Sequence, residues 1–156
     1  MIIRKEKFIH DVNTALQEYI QENFDVYTAF DYTMVQRIAK DIDTGKVPAK
    51  PILHLSLTDK DEGVRQPISD GKEGRNNFFE YTIYSIINNK YKEGRSRKFV
   101  LDEITDELKD TFDSDGDSLP FRKVHFDAMT TELMGENPDG LYAIEHILKF
   151  VVMKEL

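Results

Sequence analysis

Four histidines, a run of closely spaced aspartates and a glycine-containing charged hexapeptide are the residues of this chain whose types could do chemistry. Asp113, Asp115 and Asp117 have the spacing that opens a calcium loop. Such a loop needs Gly at its sixth position and a bidentate Glu at its twelfth. Counted from Asp113, those places hold Ser118 and Val124, and the motif fails. His10 stands alone, and no His-Glu-x-x-His pair offers zinc two ligands on one helical face. His54, His125 and His146 fall on three expected strands, so a pocket or metal site formed by their convergence is a reading to test. There is no cysteine and no Gly-x-Ser-x-Gly elbow, which removes thiol chemistry and that route to an activated serine. Asp70-Gly71-Lys72-Glu73-Gly74-Arg75 lacks P-loop spacing and precedes a strand, whereas a phosphate cradle needs a helix N-terminus. No catalytic, metal or cofactor residues are assigned, and the expectation is a binding or assembly subunit without enzymatic activity.

Charge points the same way. The chain has a net charge of −8, which disfavours nonspecific nucleic-acid binding and suits a surface past which DNA moves without sticking. Positive charge is concentrated in one place, the connector Lys90, Lys92, Arg95, Arg97 and Lys98; the polar stretch 59–77 adds Lys60, Arg65, Lys72 and Arg75 among acidic residues. These are the candidate contacts with a partner or a second copy. Eight acidic residues between Asp102 and Asp117 would complement such a surface, and complementarity of that kind sets register and partner choice. A solvated loop is the plain alternative.

The elements that must position these residues follow from periodicity. Phe8, Val12, Ala15, Leu16, Tyr19 and Ile20 make one stripe, so the spacing predicts a helix over 5–24. Val26–Phe30 has strand propensity, Tyr32–Ile42 is ambiguous, and Gly45, Pro48 and Pro51 mark a linker. Ile52–Leu57 alternates as a short strand, a long polar loop is expected over 59–77, and Phe78–Asn88 is an aromatic strand. Ser96 is a candidate N-cap for a second helix, over 97–112, that buries Val100, Leu101, Ile104, Leu108 and Phe112. Phe121–Leu133 and Leu141–Met153 read as strands joined by a Pro138/Gly140 turn. The expected architecture is a single α+β domain over 1–156. Two main helices pack on one face of a mostly antiparallel sheet of four to five strands, closed by a long C-terminal hairpin. No apolar run approaches the roughly 20 residues of a membrane-spanning helix. The absence of cysteine suits a reducing cytoplasm.

This order resembles that of the tail terminator, or tail-completion, proteins of long-tailed bacteriophages. The resemblance lies in the first helix (Phe8 to Ile20), the strand after proline (Pro51 to Leu57) and the aromatic strand (Phe78 to Asn88). It continues through Phe99-Val-Leu-Asp-Glu-Ile-Thr-Asp-Glu-Leu108 and Asn137-Pro-Asp-Gly-Leu-Tyr142. It implies a structural virion subunit forming a ring, usually sixfold, at the head–tail interface. The partners it implies are copies of itself, a tail tube protein and a head-completion or connector protein, with DNA passing through the lumen. Related neck and connector proteins share parts of the pattern. A monomeric small-molecule or peptide-binding domain is the alternative outside that class.

Overall fold

The computed structural model describes residues 5–88, 96–114, 123–127, 133–136 and 140–155. Its elements, in chain order, are α1 (Lys5–Asn23), β1 (Tyr27–Ala29), α2 (Tyr32–Asp43), β2 (Ile52–Ser69), β3 (Lys72–Ile87), α3 (Arg97–Ser114), β4 (Lys123–Asp127), β5 (Leu133–Glu136) and β6 (Tyr142–Glu155). The strands form one sheet in the order β1-β2-β3-β6-β4, with β5 also on β6. All pairings are antiparallel except that of β1 with β2. The fold is α+β, as the sequence pattern implies.

Strand alternation divides the sheet into two faces, and each face has its own core. Leu53 and Leu55 of β2, Phe79, Tyr81, Ile83 and Ile87 of β3, and Ile144, Leu148, Phe150 and Val152 of β6 are buried on one face. The stripes of α1 (Val12, Leu16, Tyr19, Ile20) and α3 (Val100, Leu101, Ile104, Leu108) cover them. Phe79 and Phe150 stack at 5.5 Å between ring centroids, and Tyr81 lies 5.6 Å from Phe150. The Tyr81 hydroxyl donates to Asn13 of α1, which ties helix to sheet. Ser96 caps α3 as its position suggests, its Oγ accepting from the Phe99 N–H at 3.2 Å.

Three expectations are corrected. The ambiguous segment 32–42 is a helix: Asp31 caps it by accepting from the Met34 N–H at 2.7 Å, and Val35, Ala39 and Ile42 are buried at helical spacing. This third helix packs on the sheet's other face, against Ala29, Ile52, Ile86 and Leu141, because it is the crossover that a parallel β1/β2 pair requires. The long polar loop over 59–77 is a hairpin. β2 runs on to Ser69 and β3 starts at Lys72. Between them Asp70 and Gly71 both take positive φ, 46° and 76°, the two-residue turn whose twist matches paired strands. The expected strand over 121–133 is two strands, β4 and β5, at different registers on β6; residues 128–132 lie outside the described residues. The final strand is central, between β3 and β4, but is fully buried on one face alone, and Lys149 is exposed on the other.

The extended hairpin is an arm with little core of its own. Between Leu55 and Phe79 no described apolar side chain is buried, and Val64 is 83% exposed. Stability therefore resides in the two-faced core. Leu16→Ala and Leu101→Ala, each emptying a fully buried site, are expected to cost about 3 kcal/mol in urea denaturation. Val64→Ala is expected to stay within about 0.5 kcal/mol.

Candidate functional site

The three histidines proposed as a pocket do not converge. His146 shares the α1/α3 core, whereas His54 stands on the opposite face beside α2, paired in register with Tyr84. Consecutive residues of a strand point to opposite faces, and 54 and 146 fall on opposite sides of that alternation once the strands are in register. His125 lies in β4, where the side chains are outside the described residues. His10 is exposed on α1. Among the described residues, no group of three His, Asp or Glu side chains could hold a metal ion. Asp115 and Asp117 lie outside them.

His146 does have a partner chosen by the fold. Its Nε2 is 3.1 Å from Ser85 Oγ on neighbouring β3, and both residues have no accessible surface. A serine and an imidazole at that distance are the first two parts of a nucleophile–base pair. Here they are sealed beneath two helices and form a hydrogen-bonded polar pair inside an apolar core. Burial holds the imidazole neutral, its pKa lowered from 6.5 to about 4. The second histidine sits differently. His54 is half-buried between Tyr84 and Tyr32, with centroids 5.6 and 6.4 Å away, and desolvation lowers its pKa against the opposing pull of Asp31 and the Phe30 carbonyl.

One cleft lies where α1 ends. Phe24, Leu53, Ile104 and Leu108 form its apolar floor, Asp25 and Glu107 its acidic rim, and its volume is about 310 Å³. Lys50 closes one side, held by Asp25 at 2.8 Å. The hydrogen bond from Lys50 to Asp25 raises the lysine's pKa and keeps it charged, and the apolar floor is shaped to take a side chain.

The basic candidates separate into two groups. Lys60, Arg65, Lys72 and Arg75, expected on a loop, are strand residues of the arm. Most of their charge is already answered: Glu62 is 3.6 Å from Lys60 and 3.1 Å from Arg75, and Glu73 is 3.3 Å from Arg65. Lys90, Lys92 and Arg95 lie outside the described residues, as does the side chain of Arg97, which opens α3.

Two features escaped the sequence reading. The outer edge of β2 from Leu55 to Ser69 has no strand neighbour among the described residues, since β1 pairs only with Ile52, Leu53 and His54. It is nevertheless a poor template for strand addition. Register shifts interrupt it near Leu57/Asp59, Glu62/Arg65 and Pro67/Ser69, and Asp59, Lys60, Asp61, Glu62 and Pro67 line it. These are the devices that keep an edge from pairing with another chain. The second feature is a cationic ring around Phe8, where Lys154 Nζ and Lys60 Nζ lie 5.0 and 5.8 Å from the ring centroid.

No protein-family model matches the chain, and no curated protein matches it in sequence.

The buried imidazole makes stability pH-dependent in one direction. The folded state keeps His146 deprotonated down to about pH 4, while the unfolded chain takes up its proton near 6.5. Its contribution is therefore complete above pH 6.5 and is lost as pH falls toward 4. From pH 7 to pH 5 the wild type should lose roughly 2 kcal/mol more than His146→Leu, measured by denaturant unfolding at each pH. Parallel pH profiles of the two proteins would show that the imidazole is not held neutral.

Proposed function

We propose that the chain is a structural subunit that assembles into a ring, as the tail terminators of long-tailed phages do, capping a tail tube and joining it to a head connector. The observation that carries the reading is the β2–β3 arm: 18- and 16-residue strands closed by a tight Asp-Gly turn, whose outer part buries no described apolar side chain in its own chain. An outer half of a hairpin that adds no buried apolar side chain to its own molecule is explained by a surface elsewhere that it meets. The element order of the chain supports the same assignment, because it resembles that family from the first helix to the last strand. The acidic balance fits a lumen through which DNA passes.

Self-association in this reading does not use strand addition at the edge of β2, which is guarded. Copies instead meet through side chains on the faces of the arm and on the helices, with the tail tube and connector proteins above and below the ring. No helix is long and apolar enough to cross a membrane among the described residues, so nothing in them competes with assembly in the host cytoplasm and a place in the virion.

Replacing residues 62–77 by Asn-Gly, which reconnects Asp61 to its register partner Phe78, tests the reading. The shortened chain is expected to stay folded, losing no more than about 2 kcal/mol because it gives up no buried apolar side chain. It should remain a monomer of roughly 17 kDa by light scattering, under conditions where the 18.2 kDa full chain forms closed rings visible by negative stain. Six copies give about 109 kDa. A shortened chain that still closes rings would remove the arm from the assembly.

A further inference from the structure

Bringing together copies that each carry a charge of −8 requires local surfaces of opposite sign. Two such surfaces are on the molecule, and they do not touch each other. The first is the outer face of α3. Asp102, Glu103, Asp106, Glu107 and Asp110 are all exposed there, with Lys109 the exposed cation among them. Positions 102, 106 and 110, like 103 and 107, repeat every four residues, so the carboxylates stack in adjacent rows along the helix. Like charges at that spacing weaken a helix, by about 0.2–0.5 kcal/mol per pair. A cationic surface laid over them reverses the sign of that effect.

The second surface is at the root of the arm, on the face that α1 covers. Lys60 of β2, Arg75 of β3 and Lys154 of β6 stand on three adjacent strands, Arg75 and Lys154 being register partners. Lys60 and Lys154 flank the Phe8 ring, and Glu62 is the carboxylate that Lys60 and Arg75 share. Lys60 and Lys154 beside that ring, with Arg75 in register with Lys154, outnumber the one acid that Lys60 and Arg75 share, in a chain that is acidic as a whole.

Within one chain the two surfaces are held apart. Glu107 rims the cleft beside Phe24 and Asp25, at the C-terminal end of α1. Phe8 is 16 residues earlier on the same helical path, which is about 24 Å at 1.5 Å per residue. We infer that the Lys60/Arg75/Lys154 surface of one copy receives the acidic face of α3 of a second copy. Because the two surfaces differ, the contact is heterologous, and repeated around an axis it closes a ring. The inference rests on the ring reading above and assigns the side chains that join its subunits. It also gives α3 a role besides covering the sheet: Val100, Leu101, Ile104 and Leu108 face inward while the opposite side meets the neighbour.

A charge swap tests it on the full chain. One variant carries Arg75→Glu and Lys154→Glu, the other Asp102→Lys, Asp106→Lys and Asp110→Lys. Each alone presents like charge to like and should lose ring assembly, with self-association weakened at least about tenfold. Mixed one to one, every junction again pairs opposite charges, and alternating rings should return. Arg75→Gln with Lys154→Gln, a milder change that keeps side-chain size, should weaken assembly less, and circular dichroism should report native folding for each variant. Wild-type rings should dissociate as salt is raised toward 1 M, where screening acts within about 3 Å. Rings that survive both reversals, or mixtures that stay monomeric when each parent is folded, overturn the contact and leave the ring standing. Wild-type protein that stays monomeric at every concentration overturns both.

Discussion

Everything in this molecule hangs on β3 being paired along its length on both sides. Its register with β6 runs without a break from Gly74↔Glu155 to Ile87↔Tyr142, and β2 covers its other edge from Ile52↔Ile86 out to Ser69↔Lys72. An unbroken ladder leaves no freedom in which side chains face which way. Phe79, Tyr81 and Ile83 must then point to α1 and α3, and Tyr84 and Ile86 to the other side. In the pairing of β2 with β3 the extra residues all fall in β2, at the edge, where they can leave the ladder without disturbing the centre. A core that is rigid in the middle and irregular at one margin can carry an arm whose own residues contribute little burial.

The same alternation decides the chemistry. Between His54 and His146 lies the thickness of the sheet, so neither can assist the other, whatever their separation along the chain. Each is instead used by the face on which it falls. His146 fills a fully enclosed place in an apolar core, acceptable because Ser85 on the next strand supplies a hydrogen bond. His54 packs among tyrosine rings at a half-open surface near the start of α2. Among the described residues, one imidazole is thus sealed from solvent and the other is half-buried between two tyrosine rings.

Much of this architecture was legible in the sequence, for identifiable reasons. α1 and α3 have clean helical stripes, Ser96 sits at the one place a cap is needed, and the density of β-branched and aromatic residues in β3 exceeds what a helix would use. The misses are equally specific. Asp70-Gly71 carries the strongest short-range hairpin signal there is, but the flanking residues Arg65, Lys72, Glu73 and Arg75 are polar on both faces, so alternation is invisible around it. α2 was obscured because its buried set, Val35, Ala39 and Ile42, is small and follows Tyr27 and Tyr32, a residue type that suggests a strand. The meeting of Lys60, Arg75 and Lys154 around Phe8 joins residues up to 146 positions apart, and only register brings them together.

Burial and charge are largely segregated in the fold. Apolar side chains are concentrated where the helices cover the sheet, while the outer face of α3 carries exposed carboxylates and the arm carries ion pairs. Catalytic sites work the other way: they place ionisable groups in partly desolvated clefts, where burial and neighbours shift their pKa toward the working pH. In this chain the largest such shift belongs, among the histidines, to His146, which is sealed. The cleft at the end of α1 has carboxylates on its rim whose charge is turned to solvent or to Lys50. Charged surfaces of opposite sign on a shared scaffold, rigidly spaced by one helix, define direction and register between bodies. In the proposed ring, that direction is what joins each subunit to its neighbours in one orientation.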